Sequence, residues 1–218
     1  MTAQPPATAL YPSRAAAGAA LGRLIYTRCD PPVVLLGVTP TGVEIAASAA
    51  KGTSSVFDVI VGAHVRIGDH GIVGALAEDA DAVIDRLYAP KFEAMDTLRD
   101  AIDRARRAVK SERLLFRGQR QLRDLADETV AVIDGHATVP WKLLAAAHGA
   151  LALGAQRVFV AAAVATQAVK ERVFAYKFEF ICPTVVLDPT GHPHPFGDPQ
   201  DASAERLRSI VVARQAAA

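Results

Sequence analysis

The chain has 218 residues, 51% hydrophobic and 22% charged, with a formal net charge of +1 at pH 7. That length suits one globular domain with a well-buried core, and the charge balance gives no overall attraction to nucleic acid or to an anionic membrane. Cys29 and Cys182 are the only cysteines; their number and spacing argue against a disulfide framework and a zinc finger, so a reducing cytoplasm is the expected compartment.

The start, "MTAQPPATALYPSRAAAGAA", has no basic region ahead of an apolar core, so no signal peptide is expected. The run "SRAAAGAALGRLIYTR" places Ala17, Leu21, Leu24 and Ile25 on one helical face behind Ser13, a candidate N-cap. Two short apolar runs follow, "PVVLLGV" at 32–38 and "VFDVIVG" at 56–62, with the β-branched content of buried strands. Residues 64–125 differ, being glycine-rich at first ("RIGDHGIVGALAEDA") and then a long charged helix, "EAMDTLRDAIDRARRAVKSERLLFRG", that Gly118 would stop. The cations of that helix interleave with Asp100, Asp103 and Glu112, the pattern of a solvated face rather than a polyanion site.

Further strands are expected from "TVAVID" at 129–134, "RVFVAAAV" at 157–164 and "ICPTVVL" at 181–187. The most apolar region, "LLAAAHGALALGAQRVFVAAAVA", is interrupted by His148, Gly149, Gly154, Gln156 and Arg157, and reads as helix, turn and strand rather than a membrane span. "PTGHPHPFGDP" at 189–199 is a turn-rich connection. Its His192 and His194 alone are too few for a metal site. "SAERLRSIVVAR" then directs Leu207, Ile210 and Val211 to one face behind Ser203. Strands alternating with helices predict a single α/β domain, a central mostly parallel sheet flanked by helices, with 64–125 inserted as a cap.

One stretch carries chemistry. "VAVIDGHATVPW", Val130 to Trp141, is an apolar strand ending in an acid, then a small-residue turn leading into a helix. α/β proteins hold phosphorylated sugars this way, with the acid on ribose hydroxyls and backbone N–H groups at the helix start on phosphate. Asp134 could instead cap the turn, and His136 could be a surface-loop histidine.

"IDGHATVPW" resembles the DDGLATGAT-type loop of the type I phosphoribosyltransferase superfamily at Asp134, Gly135, Ala137 and Thr138. In the same order, "LGVTPTGVEIAASAA" resembles that family's ALPRGGVPVA-like pyrophosphate loop at Gly42, Val43 and Ala46. "GIVGALAEDA" resembles a GAVAEGG segment of the hood, and "LLFRGQR" the YRGGR stretch after the hood helix, so the similarity runs from Tyr11 to Arg214. The resemblance implies a phosphoribosyltransferase-like fold with a hood at 64–125, a homodimer and a place in nucleotide metabolism. It also implies a small phosphorylated sugar or nucleotide as ligand, with Mg2+ beside any diphosphate. The residues it turns toward that ligand are Thr39, Thr41, Gly42, His64, Asp134, Gly135, His136, Ala137, Thr138, Val139 and Trp141.

The departures fall on the chemistry. The first of the family's two adjacent acids is Ile133 here, and Val139, Pro140 and Trp141 replace a glycine, a small residue and a threonine. Proline has no N–H to give a phosphate, and valine obstructs the approach that glycine permits. Pro40, Thr41 and Gly42 stand where the family has Arg-Gly-Gly, which removes a fixed cation facing the leaving group. His64 replaces a lysine and is expected to be mostly neutral at pH 7. Thr138 is the expected N-cap of the next helix, and Trp141 is expected to fill phosphate space or stack over a flat ligand. The expected function is therefore a phosphoribosyltransferase-like protein with an impaired loop for phosphoribosyl pyrophosphate, serving as a binding, regulatory or partner subunit. The alternative is an active transferase or phosphoribosyl hydrolase with a divergent loop and a nucleobase-like acceptor, in which Asp134 holds ribose and His136 or Thr138 assists.

Overall fold

The computed structural model describes residues 9–53, 55–85, 96–198 and 202–215. In chain order, helix α1 (Arg14–Arg28) leads to strand β1 (Val34–Gly37), helix α2 (Pro40–Ala49) and strand β2 (Val56–Val59). Strands β3 (Gly62–Ile67), β4 (Gly71–Ala77) and β5 (Val83–Ile84) and helix α3 (Asp96–Arg117) come next. The second half contains β6 (Thr129–Ala137), α4 (Trp141–Ala152), β7 (Arg157–Thr166), α5 (Gln167–Ala175), β8 (Glu179–Ile181), β9 (Thr184–Val186) and α6 (Ala204–Gln215).

Local chemistry explains most boundaries. The Ser13 hydroxyl accepts the Ala16 N–H at the start of α1, and Thr39 and Thr166 cap α2 and α5 in the same way. Gly118, with φ of +60°, follows α3 as anticipated. The long charged helix is described from Asp96 onward; its expected residues 93–95 lie outside the described residues. Two expected strands divide. The run 56–62 supplies β2 and the first residue of β3, which belong to different sheets, and the run 181–187 breaks at Cys182 and Pro183, because proline has no N–H for a ladder.

The larger sheet has six strands, all parallel, in the order β2-β1-β6-β7-β8, with β9 pairing the far end of β7. On one face, Leu21 and Ile25 of α1 and Val43 of α2 pack over Leu35, Ile133 and Phe159. On the other, Leu143 and Leu144 of α4 cover Val132 and Val160. Burying each of these large side chains contributes about 1.5–3 kcal/mol. This double covering is why the strands are apolar throughout rather than alternating. The expected α/β architecture is thus observed, and no helix of the described residues is long and apolar enough to cross a membrane.

The second sheet, β3-β4-β5, is antiparallel and packs against α3 and α4. Buried charges tie it to the larger sheet. Glu78 accepts the Val61 N–H at 2.9 Å and pairs with Arg117, whose Nη1 donates to the Val59 carbonyl at 3.2 Å. Asp58 on β2 accepts from both terminal nitrogens of Arg120, at 2.5 and 2.9 Å. Asp85, just after β5, pairs with Arg172 of α5 at 3.2 Å.

A long-range staple joins the start of the described chain to the loop ahead of α6. Leu10 and Tyr11 donate their N–H groups to the Pro195 carbonyl, and the Gly197 N–H returns to the Tyr11 carbonyl. The Arg14 N–H donates to Asp198 Oδ1 at 2.9 Å.

Candidate functional site

The sheet order reverses between β1 and β6, since β2 lies outward of β1 on one side and β7 and β8 outward of β6 on the other. Ligands of open α/β sheets bind at such a point, beyond the carboxyl ends of the strands. Here the two strands end at different heights. Gly37, the last residue of β1, pairs with Ile133, whereas β6 continues to Ala137. The start of α2 fills the step. The Thr39 hydroxyl accepts the Gly42 N–H at 3.0 Å and donates to Asp134 Oδ1 at 2.6 Å. A Cβ on Gly42 would stand 2.3 Å from the Ile133 carbonyl oxygen, and one on Gly135 would stand 2.3 Å from Thr41 Cγ2. Only glycine at both positions lets the first turn of α2 lie directly on β6.

Asp134 is therefore 7% exposed, with one oxygen held by Thr39. It does not close the strand as expected. Gly135, His136 and Ala137 remain extended because β7 runs alongside them as far as Thr166, with His136 opposite Val164 and Ala137 opposite Ala165. The expected turn 135–141 shrinks to residues 138–140. Thr138 is exposed and does not cap α4: the N-cap is Pro140, which has no side chain to offer.

Trp141 departs furthest from expectation. It is 5% exposed, in the core under α4, with the Tyr176 ring edge-on at 6.2 Å and the Arg172 guanidinium 5.3 Å from its ring centre. The apolar rows of β6 and β7 demand cover on that face, and the indole serves as cover. Ala137 is buried in the same cluster, with Val139 packed against it. Ile133 is buried on the opposite face, among α2 and β1 side chains. His64 lies on β3, half-buried, its pKa pushed down to about 4 by burial and then by Lys142 and Arg66, so the ring is neutral at pH 7.

Thr41 and His136 do come together, in a cavity of about 300 Å³ shared with Arg14, Pro193, His194, Pro195 and Phe196. Arg14 is buried, its Nε 3.3 Å from Glu44 and its Nη1 donating to the Asp198 carbonyl at 2.5 Å, with its guanidinium 5.7 Å from the Phe196 ring centre. Sequence reasoning missed Arg14. The available signal was its place at the first position of a helix with no acid in its first turn, where a cation meets the positive end of the dipole and needs acids from elsewhere. Burial lowers the pKa of His136, the Asp134 carboxylate opposes this, and His192 and His194 reinforce it. His136 Nε2 and His192 Nδ1 are buried without a hydrogen-bond partner. Among the described residues, no group of three His, Cys, Asp or Glu side chains is placed to hold a metal ion.

No protein-family model matches the chain, and no curated protein matches it in sequence. Its fold is shared with the protein TT1426 from Thermus thermophilus, at 22% identity and a TM-score of 0.81 over 93% of this chain and 98% of that one. Weaker structural similarity extends to a phosphoribosyltransferase from Corynebacterium diphtheriae, 15% identical with a TM-score of 0.46 over 80% of this chain and 79% of that one. The APRTase from Giardia lamblia complexed with 9-deazaadenine is 12% identical, with a TM-score of 0.44 over 80% and 81% of the respective chains. The likeness to TT1426 concerns the fold.

Proposed function

We propose that this chain is a phosphoribosyltransferase-like protein with an impaired sugar-phosphate site, acting as a binding, regulatory or partner subunit, with residues 64–125 as its hood. The ordered motif resemblances support the first half of this reading. The hydrogen bond from Thr39 to Asp134 carries the second. An acid that holds ribose hydroxyls must offer its oxygens outward; Asp134 is buried and engaged, and the neighbouring position is Ile133. Withdrawing a charge-assisted hydrogen bond costs about 1.5–3 kcal/mol before any sugar contact forms. With no convergent set of ligating side chains among the described residues, Mg2+ would arrive on the diphosphate oxygens of a ligand. A cytoplasmic homodimer belongs to the same reading.

The test is a calorimetric titration with Mg2+ and phosphoribosyl pyrophosphate, run beside ribose 5-phosphate and adenosine monophosphate. Binding no tighter than millimolar, with no turnover, is the expected result. Micromolar binding of the pyrophosphate, abolished by Asp134→Ala, would replace the impaired-site reading with the divergent transferase or hydrolase.

A further inference from the structure

We propose that the cavity between β6 and the 192–196 loop is a proton-linked oxyanion site, which takes sulfate- or phosphate-type oxygens on the ring N–H groups of His136 and His194 beside the Arg14 guanidinium. This goes beyond the proposed function, because it rests on side chains that the sugar-phosphate loop does not supply.

Three observations converge. First, His136 lines the cavity and its Nε2 is buried without a partner, as is Nδ1 of nearby His192. Buried polar atoms in native proteins are nearly always satisfied, so the orphaned His136 nitrogen that faces this cavity calls for a ligand or a proton. Second, Arg14 is a cation fixed in advance, held by Glu44 from α2 and by Asp198 from the loop, with the Phe196 ring beside it. Third, His192 and His194 both oppose protonation of the His136 imidazole. An anion among them would relieve that repulsion.

The surrounding charges determine the pH dependence. Asp134 faces His136 from β6, with one oxygen committed to Thr39; Glu44 and Asp198 counter Arg14. With the imidazoles neutral, these acids leave the cavity no net positive charge, so an anion binds only together with protons. An anion that favours protonated His136 raises the pKa that burial lowers, and its own affinity must then rise as pH falls toward that lowered pKa.

Sulfate is the suitable probe, since it keeps both charges across that range. Calorimetric titration at about pH 5.5 and about pH 8 should show tighter binding at the lower pH, approaching about tenfold for each pKa unit that the anion raises His136, with protons taken up from the buffer. The His136→Gln, His194→Gln double variant, which keeps hydrogen-bonding groups that do not titrate, should lose this dependence. Equal affinity at the two pH values, binding without proton uptake by the native protein, or a dependence that survives in the double variant would overturn the proposal. So would loss of binding in Lys142→Met, which would put the anion at the start of α4 instead. Failure of the phosphoribosyl pyrophosphate reading would leave the sulfate result standing, because that titration probes Asp134 and this one the histidines.

Discussion

The indole of Trp141 is enclosed by Tyr176 at its edge and Arg172 over its ring, and Arg172 is itself anchored by Asp85. As the only tryptophan, it reports on the core rather than on a ligand. Its fluorescence should be blue-shifted and unchanged by millimolar phosphate or phosphoribosyl pyrophosphate; a ligand-dependent quench would contradict the buried placement. Trp141→Ala should lower unfolding stability in urea by about 3–5 kcal/mol, the usual cost of emptying a large aromatic site. A threonine, which the resembling loop carries at this position, could not fill the same space.

At the level of elements, β6 shows why this loop would not tolerate the residues of the motif it resembles. Ile133→Asp would place a carboxylate among the apolar side chains of Leu35, Val43 and Ile45, and an unpaired buried charge is among the most destabilising changes. The combined Ile133→Asp, Val139→Gly, Pro140→Ala, Trp141→Thr variant should fail to fold, whereas Val139→Gly with Pro140→Ala alone should fold. Far-UV circular dichroism and urea titration of the two proteins separate these outcomes. The runs 32–38, 129–134 and 157–164 were legible as strands because both faces of each are covered and their composition records it. The last residues of β6 were not, since Gly135 and Ala137 are poor strand formers that follow β7 through pairing alone. Within the candidate site, Thr41 and His136 were legible from motif position. Arg14 was not, because nothing near it in sequence announces the acids and the Phe196 ring that hold it.

Across the whole molecule, the smaller sheet is held to the larger one by charges, not by apolar contact alone. Arg117→Ala would strand the buried Glu78 carboxylate and should cost about 3–5 kcal/mol, measured by urea unfolding. An Arg117→Met, Glu78→Gln pair should recover part of that loss; equal stability of Arg117→Ala and the native protein would show that the pair carries no weight. The staple between residues 10–14 and 195–198 has a different consequence, one of timing. Its Arg14 to Asp198 bond spans 184 residues of sequence, and during synthesis the early half waits while the sheet between them is made. The step at Asp134 is sealed by α2 and β6, whereas the histidine cavity cannot close without residues 193–196. Oxyanion binding is thus acquired only once residues 193–198 are made, and on a translating ribosome it would distinguish a chain read through that loop from one that stopped sooner.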